Sequence, residues 1–258
     1  MIYVVSDLHG ASDALKKAVP EGSSLLLLGD LVNLIDYLSM TGILIEVFSR
    51  DAVEEVLEMR AAGRFEEARR VMSKRSQGRE TEIRQEIGAK VREQYEEVFA
   101  ALIDPTYLIL GNVDWPPMAN ALAETNPGVH LVDGQILTIE GERFGFVGGA
   151  LPTPLHVPGE ITEEELRAKV ESLEEVDVLC SHIPPAVPEL CFDTLAKHRE
   201  QGSSDLLRYI EDVQPRRHYF GHVHQPLVSS MRIGRTLCVN VGYFRGTQRA
   251  FPHHREQE

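Results

Sequence analysis

Short apolar runs that break off at acidic, amide or imidazole side chains recur along the chain. "IYVV" stops at Ser6-Asp7, "LLLL" at Gly29-Asp30, "YLIL" at Gly111-Asn112, "VDVLC" at Ser181-His182 and "HYF" at Gly221-His222. Such runs, bounded by turn formers, mark strands covered on both faces. Between them the period turns helical. Ser12 is placed to cap a short helix ending near Pro20, Thr162 with Glu165 makes a capping box over 163–175, and Ser204 opens a helix that stops before Pro215. This alternation predicts a layered α/β fold. The stretch "QILTIEGERFGFVGG" (135–149) differs, because two β-rich runs around Gly141-Glu142 predict a hairpin. The expected architecture is a sheet sandwich, partly antiparallel, flanked by helices.

Residues 34–102 stand apart. Ile83, Ile87, Val91, Tyr95, Val98 and Leu102 recur at spacings of four and three, the stripe of an amphipathic helix, and 52–72 is also helical in composition. We read this stretch as a helical hairpin inserted into a single domain spanning 1–258. Its stripe is suited either to packing on the core or to forming a homodimer face or a lid. Lys74, Arg75 and Arg79 read as a solvated turn between its helices.

Composition narrows the partners. With 258 residues, 43% of them hydrophobic, the chain can bury a sizeable core. Lys and Arg total 26 against 40 Asp and Glu, a net charge of −14, which argues against a general grip on extended nucleic acid or anionic lipid. Nearly all the excess lies outside 50–100, where 11 basic residues face 12 acidic ones. Cys180, Cys191 and Cys238 form no close pair and no metal-type spacing, so they are expected as reduced core residues. The N-terminal "MIYVVSD" enters a strand without a basic leader, and no apolar run approaches the ~18 residues of a membrane span. A cytoplasmic protein is expected.

Ligands of α/β sheets bind beyond the carboxyl ends of the strands. That rule gathers Asp7, His9, Asp30, Asn112, His182, His222 and His224 into one crevice. Imidazole, carboxylate and amide donors without a thiolate suit Mn²⁺, Fe, Zn²⁺ or Ni²⁺ better than Ca²⁺ or a structural zinc. Seven donors exceed what one ion takes once a water must also bind. Two ions sharing a carboxylate account for all of them. In "DLH" and "HVH", alternate residues leaving a strand can point to the same side.

The ordered set "SDLHG", "GD", "GN", "SH" and "GHVH" resembles the calcineurin-like metallophosphoesterases, from Ser6 to about Val241 with the 34–102 interruption. The resemblance implies a four-layer αββα sandwich of two mixed sheets flanked by helices. It also implies a dinuclear centre, with Asp7, His9 and His224 on one ion, Asn112, His182 and His222 on the other, and Asp30 bridging. A metal-bridging hydroxide would attack phosphorus, with Mn²⁺ the first choice of metal. The Asn112 amide oxygen would ligate while its NH₂ meets the substrate phosphate. The expected substrate is a small or nucleotide-like phosphate ester.

Two departures from the family pattern matter. Val113 stands where many members carry a histidine thought to protonate the leaving group, which some phosphodiesterase-type members also lack. The expected activity is therefore a phosphodiesterase, with a phosphomonoesterase, a short-substrate nuclease and a non-catalytic scaffold as alternatives. Asn33 replaces an acidic residue common three places after the bridging Asp; it reads either as a hydrogen-bond partner of a ligating histidine or as a helix N-cap. The loop "GGALPTPLHVPGE" (148–160), stiffened by prolines, resembles the "PTP" loop of some members and is expected to wall the site. His156 within it is the candidate substitute acid and substrate contact. Asp114 is expected to anchor its own loop, and the tail "FPHHREQE" to fray.

Overall fold

A computed structural model describes residues 1–154 and 156–255. The chain begins with β1 (Ile2–Val5), α1 (Ser12–Ala18) and β2 (Ser24–Leu27). Four helices follow: α2 (Ile43–Phe48), α3 (Arg50–Ala61), α4 (Phe65–Ser76) and α5 (Glu80–Phe99). Next come β3 (Thr106–Leu108), α6 (Pro116–Glu124), β4 (Val129–Leu131), β5 (Ile136–Ile139), β6 (Glu142–Val147), α7 (Glu163–Glu171) and β7 (Val178–Ser181). The last third holds α8 (Pro188–Cys191), β8 (Phe192–Asp193), β9 (His198–Arg199), α9 (Ser204–Val213), β10 (Arg217–Phe220), β11 (Ser230–Ile233), β12 (Thr236–Asn240), α10 (Phe244–Thr247) and β13 (Phe251–Pro252).

Two large mixed sheets carry the fold. One is ordered β13-β1-β2-β3-β4, parallel except at β13; the other is ordered β11-β12-β10-β7-β6-β5, with antiparallel pairs at both edges. Alternation along each strand sorts its side chains between two layers. Val4 and Leu26 of the first sheet meet Phe144, Phe146, Cys180 and Tyr219 of the second in an inner core. Val5, Leu25 and Leu27 face outward onto Leu15, Tyr95 and Val98, while Leu179 and Phe220 face outward onto Leu166, Leu206 and Ile210. Helix, sheet, sheet and helix are thus the four expected layers, and the 135–149 hairpin is β5–β6.

Local signals are displaced in places. Ser12 is the first residue of α1, whose N-cap is Ala11 without a side-chain cap, whereas α9 opens at Ser204 and stops before Pro215 as expected, capped by Ser203, whose hydroxyl accepts from Leu206 N–H. The capping box of Thr162 and Glu165 forms, although α7 ends at Glu171. The tail is not frayed at its start. β13 pairs with β1, and buried His253 joins Tyr219 Oη (2.9 Å) to Glu142 Oε2 (2.9 Å).

Between β2 and β3 the apolar stripe of α5 packs on the outer face of the first sheet through Val91, Tyr95, Val98 and Phe99. α3 and α4 form a hairpin, and Ala52, Val53, Val56 and Ala68 of that pair are buried without joining any of the three core clusters. The basic residues Arg75 and Arg79 pair with Glu55 and Glu82 at exposed positions. No helix among the described residues is long and apolar enough to cross a membrane.

Candidate metal centre

The carboxyl ends of both sheets meet at one crevice. The loops after β1, β2 and β3 bring Asp7 and His9, Asp30, and Asn112; the loops after β7 and β10 bring His182, His222 and His224. Hydrogen bonds lock these loops together: Asp7 N–H donates to Gly29 O (3.1 Å), His9 N–H to Asp30 O (2.8 Å), and His222 N–H to Asp7 Oδ2 (3.0 Å). Asp7, His9, Asp30 and His222 adopt left-handed backbone conformations (φ 56°, 41°, 55° and 68°), which non-glycine residues hold only where surrounding structure imposes them. Close approach also needs Gly111, since a Cβ there would fall on Asp30 Oδ1 and the His182 ring.

The side chains form two groups that share Asp30. Donor atoms of Asp7, His9, Asp30 and His224 all lie within 4.8 Å of one another. His9 Nε2 is 3.2 Å from His224 Nε2, and His224 Nε2 is 3.4 Å from Asp7 Oδ1. In the second group, Asn112 Oδ1 is 3.0 Å from His182 Nε2 and 2.9 Å from His222 Nδ1. Asp30 faces both. Its Oδ2 is 3.7 Å from His9 Nε2 and its Oδ1 is 3.6 Å from His182 Nε2.

Electrostatics prepares these atoms for cations. Burial and His224 push His9 down to about 3, burial and His182 push His222 down to about 4, and burial lowers His182 as well. These rings are neutral near pH 7, with a lone pair free to ligate. Burial would raise Asp7, but its hydrogen bond to His224 and that ring's charge hold it below the ordinary carboxylate range; burial likewise would lower His224, and Asp7 raises it instead. Burial, with the charges of Asp7 and Asp114, pushes Asp30 well above the ordinary range. A nearly dry carboxylate between two imidazole clusters gains most from a bound cation. The donor set therefore fits divalent metal.

Asp114 is the anchor expected of it, and several further supporting residues were not visible as such in the sequence. Asp114 accepts from Asp30 N–H (2.8 Å), Gly111 N–H (2.8 Å), Leu31 N–H (2.9 Å) and Tyr95 Oη (3.1 Å), so the expected loop anchor fastens two loops and α5. Tyr243 stacks on His224 with centroids 4.2 Å apart and planes 12° from parallel. Arg245 donates to His9 O (2.7 Å) and Asp36 Oδ2 (3.1 Å). Asn240 holds the "GHVH" turn through Val223 O (2.9 Å). Only contacts across the fold reveal these roles.

The two departures resolve differently. Asn33 is neither cap nor histidine partner: no helix starts there, Val32 O takes His9 Nδ1 (3.0 Å), and the buried Asn33 Oδ1 has no partner among the described residues. Val113 packs against the outer core of the first sheet, while its N–H donates to Asp30 Oδ1 (3.1 Å). Loop 148–160 reaches the site, since Gly159 N–H donates to Asn112 O (2.8 Å). His156 is exposed on that loop with a left-handed backbone (φ 51°), and no hydrogen bond joins it to the cluster among the described residues.

Comparisons with known proteins bear on the family and the fold. Residues 1–226 match the family profile described as calcineurin-like phosphoesterase. The uncharacterized protein MJ1162 of Methanocaldococcus jannaschii is 32% identical over 115 residues, covering 42% of this chain and 52% of that protein. The chain thus spans about half the length of this curated relative. The crystal structure of TT1561 from Thermus thermophilus superposes with a TM-score of 0.52 at 14% identity, covering 96% of each chain. A second crystal structure gives a TM-score of 0.59 at 17% identity, covering 94% of this chain and 90% of the other. At such identities these structures speak for the fold alone.

Proposed function

Because the chain belongs to the calcineurin-like phosphoesterase family, we propose that it is a dinuclear metal-dependent phosphodiesterase acting on a small or nucleotide-like phosphate ester. One observation carries the reading: Asp30 presents one oxygen to His9 and the other to His182, at 3.7 and 3.6 Å. Asp7, His9 and His224 would hold one divalent ion, Asn112, His182 and His222 the other, with Asp30 between them. When bound, such ions neutralise phosphoryl oxygens and lower the pKa of water. The protein's own part is to keep the His9, His182 and His222 imidazoles neutral, to hold Asp30 through the Val113 N–H, and to turn the Asn112 amide oxygen inward. The Asn112 NH₂, on the opposite branch of that amide, is left to donate to a substrate oxygen.

The proposed preference for diesters is supported by position 113. A general acid contributes about 10²–10⁴-fold, and a partly buried valine packed against the core offers no proton. Esters with good leaving groups depend least on that help. His156, on the loop fastened to Asn112, is the proposed substitute. A non-catalytic scaffold has no need of four left-handed residues and a desolvated carboxylate at one point.

Metal analysis and anomalous scattering of the purified protein test the reading, together with cleavage of bis(p-nitrophenyl) phosphate with added Mn²⁺. Bound transition metal and Mn²⁺-stimulated cleavage are expected, and the absence of both would sink the proposal. Asp30→Asn should weaken both ions, whereas His224→Ala should weaken one far more than the other. Val113→His should raise monoester turnover, and His156→Ala should lower diester turnover; an unchanged rate in the latter removes His156 from the mechanism.

A further inference from the structure

We propose that Glu200 is a positioning residue of the metal centre, whose carboxylate receives the Nε2–H of His222 and so fixes which nitrogen of that ring faces Asn112. This inference rests on the dinuclear reading above. A metal-binding imidazole turns one nitrogen to the ion and anchors the other through its N–H, which sets tautomer, orientation and donor strength. Two rings here follow one scheme. His9 places Nδ1 on Val32 O (3.0 Å) and His182 places Nδ1 on Leu28 O (2.8 Å), so both turn Nε2 inward.

His222 is reversed. Its Nδ1 lies 2.9 Å from Asn112 Oδ1, which puts Nε2 at the rear, where Glu200 Oε2 is 4.0 Å away. That separation is about 1 Å beyond an ordinary hydrogen bond. A partly exposed glutamate side chain closes such a gap by a small torsional change. The second oxygen, Glu200 Oε1, is 2.7 Å from Nε2 of His198, an exposed ring on β9. One carboxylate therefore stands between a ring of the proposed centre and a ring at the surface.

The segment that delivers Glu200 is firmly built. Glu200 N–H donates to Cys191 O (2.8 Å), Thr194 N–H to Gln225 O (2.8 Å), and Leu227 N–H to Phe192 O (2.9 Å). Buried Asp193 accepts from Leu195, Ala196 and Gln225 N–H. The β8–β9 hairpin is thus stitched to 225–227, directly after His224. Glu200 stands behind His222 on a segment held by the same turn that carries the two histidines. Its charge distinguishes it from the neutral carbonyls behind His9 and His182: an anionic acceptor draws on the rear N–H more strongly and makes Nδ1 the better donor to a cation.

Calorimetric titration of metal-stripped protein with Mn²⁺ tests this, with melting temperatures measured without metal. The wild type should bind two ions. Glu200→Ala should bind one as before and the other about 10–100-fold more weakly, at an unchanged melting temperature. Glu200→Gln, which keeps an acceptor without the charge, should recover part of the loss, and it carries the test if the alanine variant does not fold. His198→Ala, which releases the carboxylate toward His222, should leave the weaker ion bound as tightly or more tightly. Two unaltered affinities in Glu200→Ala and Glu200→Gln overturn the inference and leave the proposed function standing. A wild type that binds no Mn²⁺ overturns both.

Discussion

His218 shows how a single side chain makes this protein sensitive to acid. It is fully buried on β10, with Nε2 2.7 Å from Ser181 Oγ and no partner at Nδ1 among the described residues. Burial pushes it from an ordinary value near 6.5 down to about 3. Below about pH 6.5 the unfolded chain takes up a proton that the folded chain refuses, so the stability contribution is complete above that value and lost as pH falls toward 3. The slope is at most about 1.4 kcal/mol per pH unit for each such histidine, and His9 and His222 add to it in protein without metal. Urea midpoints of chelator-treated protein should fall between about pH 7.5 and about pH 5. Coincident midpoints would contradict this assignment. The identity of His218 gave no hint of its role, whereas Asp7, Asp30 and the histidines of "SH" and "GHVH" were legible because donors at successive strand ends are chemically uncommon. Tyr243 was not legible, since stacking on His224 is a relation between loops.

At the scale of elements, α5 does more than cover the sheet. Its stripe was readable from spacing alone, and the same stripe contains Tyr95, whose hydroxyl donates to Asp114 Oδ1 and accepts from Trp115 N–H (2.7 Å). Gln94 Oε1, one residue earlier, accepts from Asn33 N–H (2.8 Å). The helix therefore braces the loops that present Asp30 and Asn112. Tyr95→Phe keeps the packing but strands a buried N–H and removes a donor from Asp114, at a cost of about 1–3 kcal/mol. Urea denaturation measures that loss, and a change below about 0.5 kcal/mol would show that water or a neighbour replaces the phenol. β1, β2, β3, β7 and β10 were recognisable from their apolar runs and β5–β6 from its hairpin, whereas β11 and β12 were not singled out. The pairs β8–β9 and β1–β13 were not, because two-residue strands carry no alternation to read.

The whole molecule divides unevenly between what the site needs and what it does not. Three core clusters hold the four layers together, and none includes a residue of the α3–α4 hairpin. Replacing 50–79 by a flexible linker should leave the two sheets, the Tyr95–Asp114 contact and Mn²⁺ binding intact. Circular dichroism and metal titration check the outcome; a collapsed fold would mean that the hairpin supports α5. The layer order was legible because period-two and period-3.6 patterns alternate cleanly. The number of helices between β2 and β3 was less so, since composition marks helical stretches better than their breaks.

The left-handed residues at the crevice bear on how this fold can evolve. Asp7, His9, Asp30 and His222 each occupy backbone territory that glycine enters more readily. Substitutions that relax those four positions are open to any lineage released from selection on its chemistry, and they would erase the donors while leaving the sandwich sound. Their presence together concentrates costly backbone at the point where the donors converge, so glycine at any one of the four should remove a donor while easing the chain locally.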